Sequence, residues 1–322
     1  ADVAVRQWLS DKDRFADLFN GIMFHGERVV LPEELKERKG ESDIIITDKE
    51  KKERAFQKYR DIVMLWSGKI NLAVLAVEAQ DRIHYAMPVR NMVYDSLDYA
   101  EQVRLVQKSH KGRYMASSEF LSGFGREDRI YPVVTLVFYY DTKEWDGAIN
   151  LYEMMGLKDE IERHPLLRRY IPDYHINLVE AGKIENEEVF CTDLQEVLGM
   201  LKYRKDKDGL QKYINDNKAY FSNLDRDSYY AIGSFLQSRR LLGKIEEGGK
   251  ERKEMRLDMC KALEELYEDG IEQGIKQGVE QGKHGTALNL SKMGMEIDAI
   301  ARAVEADVSV VRSWIEDANV KK

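Results

Sequence analysis

Two apolar runs lying back to back constrain this chain more than any other feature. Residues 61–66 (DIVMLW) and 72–78 (LAVLAVE) both read as β-strands, and residues 67–71 (SGKIN) supply the Gly and Asn that tight turns favour. A hairpin is predicted. Each run carries a carboxylate at the end away from the turn, Asp61 on the first and Glu78 on the second. If the turn centres on Lys69 and Ile70, Asp61 pairs directly with Glu78, because the two pairs of residue numbers have the same sum. Directly paired residues hold their Cβ atoms about 4.5–5.5 Å apart on one sheet face, and strand alternation puts Gln80 on the face of Glu78. Two carboxylates so placed resist burial and need a cation, a proton or solvent beside them. Solvated strand ends satisfy the same pattern.

The remaining pattern builds a core around that hairpin. Residues 131–140 (YPVVTLVFYY) make the strongest strand of the chain, with Pro132 at its start, where a missing N–H costs least; it is expected to lie centrally. Residues 43–47 read as a short strand and 48–54 as a charged segment. Helical spacing of Phe15, Leu18, Phe19, Ile22 and Met23 predicts a helix over 11–24. A longer helix over 88–108 would pack Val89, Met92, Val93, Leu97, Ala100, Val103 and Val106 on the sheet. Residues 150–240 are mainly helical, broken at His164-Pro165 and Ile171-Pro172, with one strand near 175–178, and are expected to cover the sheet.

Beyond this lies a different kind of sequence. The expected organisation is one domain over 1–242, a linker over 243–257 rich in Gly and mixed charge, a Gly-repeat helix over 258–292, and a small helix-turn-helix unit over 293–322. The last would have Ala301, Val304, Val310, Val311 and Trp314 as its core. Gly270, Gly274, Gly278 and Gly282 recur every four residues, a step that overshoots the helical turn and drifts by about 40° per repeat. Each glycine costs roughly 1 kcal/mol of helix propensity relative to Ala, so the helix is predicted to gain order by self-association into a homo-oligomer. A flexible spacer is the alternative.

Charge and motifs narrow the function classes. With 58 acidic against 50 basic residues, a nucleic-acid surface has to be a local patch. Two patches mix cations with an aromatic: Lys108, Lys111 and Arg113 beside Tyr114, and Lys202, Arg204 and Lys205 around Tyr203. Either could grip DNA phosphates; a solvated charge run is the commoner explanation of any one such patch. Cys191 and Cys260 are too few for a disulfide framework. No signal-peptide pattern and no apolar run of roughly 18–20 residues occurs, so the chain reads as cytoplasmic with no membrane partner. Gly123-Phe-Gly125 lacks the third glycine of a dinucleotide fingerprint and no GxxxxGK[ST] loop exists, which argues against a nucleotide cofactor. The six histidines show no metal-ligand spacing, and no GxSxG motif anchors serine hydrolase chemistry.

Taken in order, FADLFN at 15–20, Asp61, Glu78-Ala79-Gln80, Arg90 and Tyr94, Pro132 before its strand and the Gly-x-x-Gln tail resemble the Rpn (recombination-promoting nuclease/putative transposase) family of the PD-(D/E)XK nuclease superfamily. The resemblance spans most of the chain. It implies a mixed α/β fold with a restriction-endonuclease-like core, a mixed sheet flanked by helices, and here a helical C-terminal extension. It also implies a metal-dependent DNA endonuclease acting in recombination or transposon-related processing, with Asp61 and Glu78 as ligands for Mg²⁺, Mn²⁺ or Ca²⁺. Gln80 then stands where the wider superfamily has lysine; it orients a water but supplies no charge. Asp17 and Asn20 on the first helix, and Arg90 and Tyr94 on the long one, become supporting residues. A catalytically decayed DNA-binding or assembly protein on the same fold is the alternative.

Overall fold

The two apolar runs do form a hairpin, inside a five-stranded sheet. The computed structural model describes residues 2–37, 41–47, 53–59, 61–67, 73–110, 117–238, 241–242 and 256–320. In chain order the strands are β1 (Leu35–Glu37), β2 (Glu41–Thr47), β3 (Glu53–Tyr59), β4 (Ile62–Trp66), β5 (Ala73–Gln80), β6 (Val133–Tyr139) and β7 (Asn177–Glu180). The helices are α1 (Asp2–Leu9), α2 (Lys12–Phe24), α3 (Met87–Ser109), α4 (Ser117–Ser122), α5 (Leu151–Met155), α6 (Lys158–Arg163), α7 (Leu194–Leu201), α8 (Lys207–Asp216), α9 (Lys218–Phe221) and α10 (Arg226–Phe235), followed by α11 (Met259–Lys292), α12 (Ile297–Ala303) and α13 (Val308–Val320).

The main sheet runs β1-β4-β5-β6-β7. Its first three strands are antiparallel neighbours, whereas β5, β6 and β7 are parallel. A parallel joint needs a crossover, and α3 supplies it between β5 and β6. This mixed sheet with flanking helices is consistent with a nuclease-like fold. The middle strand is β5, and β6 lies next to it in the interior of the sheet, as expected for residues 131–140. The run is apolar throughout because β6 has a strand on each side and cover on both faces. On one face Phe138 and Tyr140 pack on Phe235 of α10, with ring centroids 6.3 and 5.2 Å away, and Trp8 of α1 meets the same ring at 5.6 Å. On the other face lies α3, with Met87 clustered on Val137.

Local sequence explains where these elements start and stop. Asp11 caps α2 by accepting from the backbone N–H groups of Asp13 and Arg14, and His25 ends it in the left-handed region at φ 51°. Phe15, Leu18 and Phe19 are buried as the spacing predicts, while Met23 faces solvent. Pro88 sits in the first turn of α3, where its missing N–H is harmless. The buried face of α3, however, is not the apolar stripe. Asn91, Tyr94, Asp95 and Asp98 are buried, and Val89 is exposed.

Residues 41–47 and 53–59 pair antiparallel as a separate two-stranded sheet, from Glu41 opposite Tyr59 to Thr47 opposite Glu53. The charged segment expected over 48–54 therefore overlaps the start of β3. Residues 48–52 and most of the β4–β5 turn lie outside the described residues.

The chain divides into two compact units, Ala1–Asp258 and Met259–Lys322. In the second, Ala287, Ile300, Ala301, Val304 and Val311 form a core with Trp314 packed against it. Val310, expected there, is 40% exposed, because its neighbour Val311 takes the inward position one helical step away. Along α11 a Cβ at Gly270, Gly274, Gly278 or Gly282 would meet no atom within 4 Å. Tyr267, Ile271, Ile275 and Val279 are exposed on the same helix. No described helix is long and apolar enough to cross a membrane.

Candidate active site

The hairpin register runs from Ile62 opposite Val77 to Trp66 opposite Ala73. One further step sets Asp61 across from Glu78, at the ends away from the turn. Asp61 Oδ2 accepts the backbone N–H of Ala79 at 2.9 Å, which fixes this carboxylate to the neighbouring strand. On the far side β6 lies alongside, Val137 in register with Glu78 and Tyr139 with Gln80. Glu78 is thereby cut off from solvent completely. A carboxylate in that position has to be matched by positive charge.

Arg90 provides it. Its Nη2 lies 3.4 Å from Glu78 Oε2, and its guanidinium rests over Tyr94, one helical turn on, 5.5 Å from the ring centroid. Burial raises the Tyr94 phenol pKa; Glu78 and Asp61 add to the rise, against the opposing effect of Arg90. Arg90 and Tyr94 thus meet as their spacing predicts, but the guanidinium is turned onto Glu78. The sequence alone does not foresee this ion pair.

Two carboxylates and one cation leave a formal local charge of minus one, before any partner elsewhere. Their hard oxygens suit Mg²⁺, which commonly takes one or two protein carboxylates and completes its shell with water and substrate phosphate. Among the described residues no group of three or more His, Cys, Asp or Glu is arranged to hold a metal. The donor set fits the two-carboxylate pattern and no denser one.

The other predicted residues go elsewhere. Asp17 is buried and accepts from the backbone N–H groups of Cys191 (2.9 Å) and Thr192 (2.7 Å) and from the Thr192 hydroxyl (2.6 Å). Asn20 donates to the Val30 carbonyl at 2.9 Å and accepts from Val29 and Val30 N–H at 3.1 and 2.8 Å. Both pin loop backbone to α2, and the expectation that they support the site is corrected: a buried helix face must pair its polar groups, and the nearest partners are those loops. Lys108 is exposed near the end of α3, and Lys111 and Arg113 lie outside the described residues. Lys202 pairs with Glu187, Arg204 donates to the Tyr140 carbonyl, and Lys205 is exposed.

A polar network on α3 escaped the sequence reading. Asp95 accepts from the Thr135 hydroxyl at 2.8 Å and the Tyr174 hydroxyl at 2.5 Å, joining helix, β6 and the approach to β7. Asn91, Asp95 and Asp98 recur at helical spacing, the one signal that would have revealed a buried polar face.

Comparison with known proteins bears on the segment after the hairpin. Residues 84–228 match the family model described as putative transposase, YhgA-like. Over that stretch the chain is similar to this transposase family. The YhgA-like segment contains Arg90, Tyr94, Lys108, β6 and residues 202–205. Asp61, Glu78 and Gln80 precede it and rest on the hairpin geometry. No curated protein and no solved structure matches the chain.

Proposed function

We propose that this chain is a metal-dependent DNA endonuclease that hydrolyses phosphodiester bonds in recombination or transposon-related DNA processing. The observation that carries this reading is the register of β4 and β5, which opposes Asp61 and Glu78 with Gln80 following on the same face. The YhgA-like match supports it. A bound Mg²⁺ ion would polarise a phosphate oxygen and lower the pKa of a coordinated water. Asp61, held by the Ala79 N–H, and Glu78 would be its protein ligands. Gln80 orients the attacking water through its amide. Arg90 brings the positive charge that Gln80 lacks; part-exposed and 3.4 Å from Glu78, its guanidinium can also meet a phosphate oxygen, and Tyr94 supports it from beneath. As the water oxygen bonds to phosphorus, the bond to the leaving deoxyribose oxygen breaks, and that oxygen takes up a proton.

Supercoiled plasmid incubated with the protein and Mg²⁺, Mn²⁺ or Ca²⁺ should be nicked, and EDTA should stop the reaction. Asp61→Asn and Glu78→Gln are each expected to slow nicking by about a hundredfold or more, equivalent to ~2.7 kcal/mol of transition-state stabilisation, with circular dichroism unchanged. Nicking that survives both substitutions sinks the site. DNA binding without nicking in any metal would instead identify a decayed nuclease fold that binds DNA.

A further inference from the structure

A pocket opens where β6 and β7 end. It encloses about 160 Å³ between residues 141–144 and the turn after α7. At about 30 Å³ per water this is room for roughly five waters, enough for one tetrahedral oxyanion with some hydration and well under the roughly 300 Å³ at which drug-sized pockets begin. Five cationic side chains and three carboxylates line it, in a protein whose overall charge is −8.

Two of the lining groups lack what their burial demands. Tyr139 is 2% exposed, and its hydroxyl is buried with no hydrogen-bond partner among the described residues. Leaving such a group unmet carries the full cost of its desolvation. The ring is fixed edge-on to Trp145 at 5.1 Å. Burial, reinforced by Asp141 and Glu180, pushes the phenol up to about 12, so it donates throughout the neutral range. Arg204 is the other. One of its nitrogens bonds the Tyr140 carbonyl, yet among the described residues it forms no ion pair, and burial lowers its pKa. Gly182 lets the guanidinium lie close, since a Cβ there would stand 3.3 Å from Nη2. Of the three carboxylates, Asp141 accepts from the Thr142 N–H and hydroxyl, Glu180 from the Trp145 N–H and Lys183, and the exposed Glu144 lies 3.7 Å from Lys183.

The register ties this pocket to the hairpin. Tyr139 pairs with Gln80, so Glu78, Gln80 and Tyr139 share a sheet face. Two strand spacings, about 10 Å, separate β4 from β6. We propose that this cavity binds a backbone phosphate of the DNA strand held at Asp61 and Glu78, with Arg204 and the Tyr139 hydroxyl as its ligands. The identity of the strand rests on the nuclease reading; the phosphate pocket itself does not.

The test is binding by the full chain in EDTA, so that cleavage plays no part. Inorganic phosphate is titrated calorimetrically, then used to compete with a short fluorescent single-stranded oligonucleotide. Saturable phosphate binding is expected, together with displacement of the oligonucleotide beyond that caused by chloride at equal ionic strength. Arg204→Gln should abolish the phosphate heat. Tyr139→Phe should weaken it about tenfold while Tm in phosphate-free buffer holds or rises, because the hydroxyl has no partner to lose. Absence of saturable binding, or affinity unchanged in Tyr139→Phe, overturns the pocket. Phosphate that binds without displacing the oligonucleotide overturns its assignment to DNA.

Discussion

Arg14 illustrates what a buried cation requires. Its Nε and Nη2 contact both Asp193 oxygens at 2.7 and 3.0 Å, Nη2 also reaches Asp225 and Ser228 at 2.9 Å, and the guanidinium lies 5.5 Å from the Trp8 ring. Burial alone would lower its pKa; Asp193 and Asp225 outweigh that and raise it. Asp225 responds in the opposite direction: burial pushes it up, but bonds from Ser228 and the charge of Arg14 bring it below its ordinary 3.8. Its stabilisation is therefore complete above 3.8 and is lost as pH falls through the lower folded value. Arg14→Ala is predicted to cost about 1–3 kcal/mol in urea unfolding at pH 7, since it removes charged hydrogen bonds from the half-buried Asp193 and the part-exposed Asp225. The gap to wild type should narrow below pH 3.8. A gap that stays constant would assign the loss to packing on Trp8. None of this was legible in the sequence, because Arg14 and its partners lie 179 or more positions apart. The Arg90–Glu78 pair escaped for a related reason: spacing along α3 brings Arg90 and Tyr94 together but says nothing about a strand twelve residues back.

Elements differ in how much of their placement the sequence carries. The β4–β5 register was legible because a short turn and two apolar runs leave one pairing that buries both. β3 was not, since ERAFQKY over 53–59 carries as many charges as apolar groups and, among the described residues, pairs only with β2. The inward face of α3 was misjudged because Thr135 and Tyr174 compensate Asp95, and no local pattern reports a partner on another element. Glycines in two helices show the same dependence on surroundings. A Cβ at Gly21 of α2 would lie 2.2 Å from Phe190 Cε1, so Gly21→Ala must displace a fully buried ring and is expected to cost about 1–3 kcal/mol in thermal unfolding. At Gly274 of α11 nothing lies within 4 Å, and Gly274→Ala should strengthen the helix by about 1 kcal/mol. Equal losses at both positions would contradict the packing described for Phe190.

For the whole molecule, a net charge of −8 opposes both DNA binding and self-association, so each needs local complementarity. On α11 the glycines form one ridge of residues four apart, and Tyr267, Ile271, Ile275 and Val279 form the next. Ridges of that spacing interdigitate with those of a second helix at about −50°. We predict that the chain associates through this helix, so that truncation after Gly249 lowers the molar mass found by sedimentation equilibrium to that of one truncated chain. Gly274→Ala with Gly278→Ala should weaken association while stabilising the helix. A truncated chain of unchanged oligomeric state would eliminate α11 as the contact. The same repeat has a mechanical consequence. Each Gly-x-x-Gln unit advances the helix by about 6 Å and turns it about 40° beyond a full revolution. Gaining or losing one unit re-aims the α12–α13 bundle in azimuth relative to the start of α11, and about nine units would restore the original heading. Repeat number therefore behaves as a vernier, coarse in reach and fine in angle.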